Sequence, residues 1–192
     1  NDILHITGTP TNINEFLKLV GLDDKTRKVI ISGGSSTAVY LAKYLDEMGM
    51  ATKIIEINEE RANLLSKLLP NTLVINGDAS DQELLYEEGI DECDAFVSLT
   101  SIDEENIVYS MFAAMQQVPK IITKVNHINL EGIIEKAAID TVVTPHKIAT
   151  NNIVKYVRAM QYGENSSCES IYKFDDDKLE MVEFKVTSKF KK

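Results

Sequence analysis

The chain predicts a doubly wound α/β fold on a parallel six-stranded sheet, and three observations carry that prediction. Short apolar runs alternate with stretches of helical periodicity from Lys28 to Val143. The runs are apolar at consecutive positions, as strands buried on both faces require. The first run, Val29-Ile30-Ile31, stops at Gly33-Gly34 and reopens as a helix through Ser35-Ser36-Thr37. That strand–turn–helix unit leaves backbone N–H groups at a helix N-terminus, where the positive end of the dipole favours phosphate.

From the N-terminus, Asp2 to Ile6 reads as a short strand closed by Thr7-Gly8-Thr9-Pro10. Thr11 or Asn12 caps a brief helix carrying Phe16, Leu17 and Val20, and Gly21 ends it. Asp23 to Lys28 is a charged linker. One strand and one helix cannot bury their apolar faces alone, so residues 1–27 read as the end of a preceding small lobe.

The central helix follows from Ala38, Leu41, Ala42 and Leu45, which share one face. Thr52 to Ile57 is the second strand, and Asn58 caps a helix over Glu59 to Leu69. Thr72 to Ile75 is the third strand, followed by the loop Gly77-Asp78-Ala79. A capping box of Ser80 with Glu83 opens the next helix, and Gly89 closes it. Asp94 to Leu99 is the fourth strand. A second box, Ser101 with Glu104, starts the helix of Ile107, Val108, Met111, Phe112 and Met115. Lys120 to Val125 is the fifth strand, Leu130 to Ala138 a helix, and Thr141 to Val143 the sixth strand. Six strands in this rhythm imply a Rossmann-like sheet over residues 28–144.

Beyond Pro145 a helix runs to Tyr162 with Ile148, Ile153, Val154 and Val157 apolar. Gly163 to Ser167 is a flexible break. Ile171, Tyr172 and Phe174, then Val182, Phe184 and Val186, form a hairpin around Asp175 to Lys178. Two strands are marginal alone, so residues 163–192 read as the start of a truncated C-terminal lobe.

At 192 residues and 44% hydrophobic, the chain holds one ordinary core plus extensions. The net charge of −10 and the lack of a broad basic face argue against nucleic acid as a partner. The only cationic cluster, Lys185, Lys189, Lys191 and Lys192, reads as a frayed terminus. Cys93 and Cys168 have no metal-ligand spacing. No basic leader and no apolar run long enough to span a bilayer is visible, and a reduced cytosolic setting accounts for the cysteines most simply.

Read as G-x-G-x-x-G/A, the glycine loop has Gly33 first, Ser35 second and Ala38 third. Alanine at the third place still permits close helix–strand packing. Serine at the second adds a Cβ that crowds a pyrophosphate, although the Ser35, Ser36 and Thr37 hydroxyls can donate to one. The loop alone fits a phosphate site and a plain βα turn equally.

Glu56 ends the second strand about 20 residues beyond the first glycine, where an acid grips a ribose hydroxyl and repels a 2′-phosphate. Asp78 and Thr100 both lie at carboxyl ends of strands. Asp78 suits an adenine edge or ordinary turn chemistry, and Thr100 suits closure over phosphates. Lys124 fits either a phosphate contact or an edge-strand charge. His5, His127 and His146 are scattered without partners at ligand spacing. The chain has no Tyr-x-x-x-Lys pair, no G-x-S-x-G elbow and no P-loop. A nucleotide site without catalytic groups points to a sensor. The competing reading is an NAD-dependent oxidoreductase fragment lacking its substrate domain, and a third is an assembly domain with an empty pocket.

Gly77-Asp78-Ala79, Ala95-Phe96-Val97-Ser98-Leu99-Thr100 with Asp103-Glu104-Glu105-Asn106, Ile122-Thr123-Lys124-Val125 and Val142-Val143-Thr144-Pro145 together resemble the RCK (KTN) domain. The resemblance covers Lys28 to Tyr162 and is nearest to the regulatory subunits of Trk-type potassium-uptake systems. It implies a non-enzymatic lobe that binds NAD(H) or ATP/ADP through Gly33, Gly34, Ser35, Ser36, Thr37, Glu56, Asp78, Ala79, Thr100 and Lys124. It further implies a cytoplasmic protein peripheral at the inner membrane face, serving a potassium-translocating membrane subunit. Pairing through the helix of residues 145–162 would give a homodimer or higher ring. Because these subunits are tandems, the resemblance makes this the second nucleotide-binding lobe, flanked by pieces of two smaller lobes. Ser35, Ala38 and Glu56 depart from the family's usual Gly, Gly and Asp.

Overall fold

The computed structural model describes residues 6–22, 26–126, 139–162, 168–174 and 179–184. Of the expected strand over Asp2 to Ile6 only Ile6 is described, outside any strand, while His5, the helix over Leu130 to Ala138, His127 and the lysine cluster at the end lie outside those residues.

The first helix, α1 (Pro10–Leu19), begins earlier than its sequence suggests. Thr9, not Thr11 or Asn12, is the cap: its side chain accepts the Asn12 N–H. Pro10 then occupies the first turn, where its missing N–H costs nothing. Gly21, at φ +71°, follows the end of the helix as expected.

Six strands form one sheet: β1 (Lys28–Ser32), β2 (Ala51–Glu56), β3 (Leu73–Asn76), β4 (Ala95–Ser98), β5 (Lys120–Lys124) and β6 (Thr141–Val143), in the order β3-β2-β1-β4-β5-β6. β1 pairs in parallel with both β2 and β4, β2 with β3, and β4 with β5. The strand order reverses between β1 and β4, so a crevice opens above their carboxyl ends.

The consecutive apolar residues bury both sheet faces. Val29, Ile31, Ile54 and Val97 pack on one side against Ala38, Ala42 and Leu65 of α2 (Ser36–Glu47) and α3 (Glu59–Leu68). Ile30, Phe96 and Ile121 pack on the other against Leu85 of α4 (Gln82–Glu87) and Ala113 of α5 (Asp103–Met115). Ala38 and Ala42 are fully buried, which is why the third fingerprint position takes a small residue.

Both predicted capping boxes are replaced. Asp81 caps α4, its Oδ1 accepting the Glu83 N–H at 2.9 Å, while the Ser80 N–H donates to Asp78. Asp81 stands one residue nearer the helix and takes the position Ser80 was expected to hold. The start of α5 has no side-chain cap from Ser101; Ile102 occupies the cap position.

A hydroxyl row lies within the second side of the sheet. Ser32 faces Ser98 in register, and Ser98 faces Thr123. The Ser98 hydroxyl donates to the Asn106 carbonyl at 2.9 Å, so Ser110 must donate to Ser98 at 2.7 Å. Thr123 in turn donates to Ser110 at 2.6 Å. The Ser32 hydroxyl, fully buried, has no partner among the described residues.

The chain divides into two compact units, Asn1–Lys124 with Leu130–Val142, and Val125–Asn129 with Val143–Lys192. The second carries α6 (Pro145–Tyr162) and an antiparallel hairpin of β7 (Cys168–Phe174) and β8 (Leu179–Phe184), with Tyr172 opposite Met181. No helix of the described residues is long and apolar enough to cross a membrane.

Candidate functional site

A cavity of about 680 Å³ opens at the carboxyl ends of β1, β2, β3 and β4, where the strand order reverses. Gly33, Gly34 and Ser35 form its floor.

Gly33 has φ +91°, and a Cβ there would come within 2.9 Å of the Thr100 backbone. The loop after β4 therefore rests directly on the glycine loop. Gly34 is constrained from the other side: a Cβ would strike the Leu65 side chain and lie 2.7 Å from Glu56 Oε2.

The donors of this loop divide into two groups. Gly33 N–H belongs to the sheet, donating to the Ile55 carbonyl, and Gly34 N–H donates to Glu56 Oε2 at 2.7 Å. Ser35 is the N-cap of α2; its hydroxyl oxygen accepts the Ala38 N–H at 3.3 Å. The backbone N–H groups of Ser35, Ser36 and Thr37 have no acceptor among the described residues. Three successive free donors at a helix N-terminus make an anion site. Ser35, expected as an obstacle or a donor, is foremost the cap that starts the helix.

Glu56 does more than end β2. Its Oε1 accepts the Asn58 N–H at 2.8 Å while Oε2 holds Gly34. Asn58 then caps α3 through Arg61 N–H, and Arg61 Nε returns to the Gly34 carbonyl at 2.8 Å. Glu56 and Arg61 thus hold the two peptide groups that flank the Gly34 Cα. Arg61 lines the cavity, and no local pattern in the sequence marks it.

Asp78 is exposed at the rim, one carboxylate oxygen closing a turn with the Ser80 N–H at 2.8 Å. Ala79 is buried in the core beneath it. Tyr109 lines the same wall, 8% exposed, and its hydroxyl has no hydrogen-bond partner among the described residues. Burial first, then the charges of Glu105 and Asp78, push that phenol above the ordinary tyrosine range. Ile57, Ile102 and Val108 are all substantially exposed and line the mouth.

Thr100 is positioned by Asn106, which is fully buried. Asn106 Oδ1 accepts the Thr100 N–H at 2.8 Å, and its amide donates to the carbonyls of Thr100 and Lys124. The final Asn of the Thr-x-x-Asp-Glu-x-Asn pattern is thus a clamp between the ends of β4 and β5. Among the sequence-named residues, Gly33, Gly34, Ser35, Glu56, Asp78, Ala79 and Thr100 line the cavity. Ser36 and Thr37 are exposed in the first turn of α2, and Lys124 ends β5 beside the cavity without lining it.

The family model described as the TrkA-N domain matches residues 29–145. The Trk system potassium uptake protein TrkA of Haemophilus influenzae is 38% identical over 141 residues, 73% of this chain and 31% of that protein. Trk system potassium uptake protein TrkA homolog 2 of Methanosarcina mazei is 26% identical over all of this chain and 42% of its own length. The chain therefore spans less than half the length of these relatives. Among solved structures, the GsuK channel bound to NAD has the same fold, with a TM-score of 0.65 at 19% identity over 86% of this chain and 29% of that one.

Proposed function

This chain belongs to the TrkA-N domain family, and on that premise we propose that it is a nucleotide-sensing lobe of a cytosolic regulatory subunit for potassium uptake. The observation that carries the reading is the row of free N–H groups at Ser35, Ser36 and Thr37, set at the switch point of the sheet.

The ligand is NAD(H), with an adenine nucleotide such as ATP or ADP as the alternative. Its phosphates sit on the glycine loop. Glu56 keeps lone pairs for ribose hydroxyls beyond those it gives to Gly34 and Asn58. Asp78 reads an adenine edge, Thr100 closes over the phosphates, and Lys124 adds positive charge from the neighbouring strand. Ile57, Ile102 and Val108 supply the apolar surface that a planar base requires.

The function is binding without turnover: ligand occupancy biases the subunit between shapes, and a potassium-translocating membrane subunit responds. The protein sits at the inner membrane face through that partner. Pairing runs through α6, which leaves Ile153, Tyr156 and Val157 exposed at i, i+3 and i+4, and gives a homodimer or higher ring. Residues 1–27 and 163–192 belong to the smaller lobes on either side.

Calorimetric titration with NAD, NADH, ATP and ADP tests the reading, with Ser36→Asp as the control variant. A carboxylate at this exposed first-turn position stabilises α2 by about 0.5 kcal/mol yet repels a phosphate. Binding that falls ~10-fold or more in a fully folded variant supports the site. Absence of heat with all four nucleotides overturns it, and hydride transfer to an added carbonyl compound would favour the oxidoreductase instead.

A further inference from the structure

The charges around the cavity are lopsided. Four lining side chains are carboxylates, Glu56, Asp78, Glu104 and Glu105, and Arg61 is the one lining cation among the described residues. Two of the four are already engaged locally: Glu56 by the Gly34 and Asn58 N–H groups, Asp78 by Ser80. Neither Glu104 nor Glu105 makes a side-chain hydrogen bond or ion pair among the described residues. Both stand in the first turn of α5, where the helix dipole favours an acid. That dipole explains their stability but not their place on a ligand cavity.

The carboxylates reach the cavity from separate elements. Asp78 comes from the loop after β3 and Glu105 from the first turn of α5, and both line the cavity together with Tyr109. A ligand in the cavity therefore meets four carboxylates and one lining cation among the described residues. Arg61 and the free N–H groups of α2 gather at the glycine loop, Lys124 stands outside the lining, and at α5 the two first-turn carboxylates outweigh the partial positive charge of the helix end. The site is therefore attractive to a short, internally neutralised phosphate bridge and repulsive to phosphate charge extending toward α5.

We propose that Glu104 and Glu105, with Asp78 of the loop after β3, are specificity-determining residues that select the ligand by charge, admitting a pyridine dinucleotide and turning away free nucleoside triphosphates. The proposal rests on the nucleotide reading above and assigns the ligand class within it. Near neutral pH, NAD carries a net charge of about −1, because the nicotinamide cation offsets one phosphate, whereas ATP carries about −4. The oxidised dinucleotide is thus the least repelled of the candidates.

The experiment titrates the whole chain with NAD and with ATP in a chelator-containing buffer, so that ATP keeps its full charge, at low and high ionic strength. NAD is expected to bind ~10-fold or more tightly than ATP at low salt. Raising the salt should strengthen ATP binding relative to NAD, because screening relieves repulsion. In the double variant Glu104→Gln/Glu105→Gln, ATP affinity should rise ~10-fold while NAD changes by less than ~3-fold. The salt comparison on the unmodified chain keeps the test intact if the variant folds poorly. ATP binding as tightly as NAD at low salt, or a ratio unmoved by salt and by the double variant, overturns the proposal and leaves the nucleotide site standing. Failure of both nucleotides to bind overturns the site itself, and this selectivity with it.

Discussion

The Glu56 carboxylate accepts the Gly34 N–H at 2.7 Å, so the acid at the end of β2 and the glycine loop at the end of β1 form one unit. Aspartate, one methylene shorter, would have less reach toward that peptide. The longer side chain lets one residue hold the loop, receive the Asn58 N–H and face the cavity. Glu56→Gln keeps the shape but presents an amide N–H₂ to one of the two backbone donors. The variant is expected to lose about 1–2 kcal/mol of stability. It should also lose ~10-fold in NAD affinity, and a denaturant titration beside a binding isotherm reads both.

Asn106 satisfies three backbone groups, the Thr100 N–H and the carbonyls of Thr100 and Lys124. Asn106→Ala leaves the Thr100 N–H and the Thr100 and Lys124 carbonyls without that partner. A loss of about 2–4 kcal/mol is expected. Amide hydrogen exchange should show the Thr100 amide losing protection before the strand interior does.

Ser32 carries the reverse expectation. Its hydroxyl is buried without a partner among the described residues, so its removal breaks no hydrogen bond among them. Ser32→Ala should raise stability by up to about 1 kcal/mol, or several degrees in Tm. A loss greater than about 1 kcal/mol would show that the hydroxyl bonds to an internal water.

Asp94 ties the linker to the sheet. Its Oδ2 accepts the Arg27 N–H at 2.7 Å and the Lys28 N–H at 2.8 Å. Those two bonds, Lys28 first, hold its carboxyl below the ordinary aspartate value of 3.8. A depressed folded value means that the stabilisation is complete above the unfolded value and is lost as the pH falls through the folded one. Asp94→Asn should therefore be less stable than the unmodified chain at neutral pH, and the two should converge as the pH falls through the depressed folded value of Asp94. Urea midpoints across that range check it.

Much of this was legible in the sequence. Consecutive apolar residues in each strand gave a sheet buried on both faces, and the glycine loop with Glu56 located the crevice. Asn58 was readable as a cap because its partner lies only three residues on. The two capping boxes were not readable correctly. A serine three residues before a glutamate is a common spacing, and Asp81 competes for the first from one position nearer. Arg61 and Asn106 escaped for a different reason. Arg61 meets Gly34 across 27 residues, and Asn106 meets Lys124 across 18, distances over which no periodicity signals a contact. Ser35 reads in the sequence as an obstacle to a pyrophosphate or a donor to it, and neither reading includes the cap by which its hydroxyl begins α2.

The hydroxyl row beneath β4 also fixes how α5 can move. Thr123 donates to Ser110, Ser110 to Ser98, and Ser98 to the Asn106 carbonyl, so each group has a single proton and a single direction to send it. A slide of the helix by one residue would break every link together and offer no new acceptor in register. The helix is keyed to the sheet like a shaft in its slot, free to tilt but not to creep. A push on its first turn, where Glu104 and Glu105 meet the cavity, would travel to Met115 at the far end as the motion of a rigid rod.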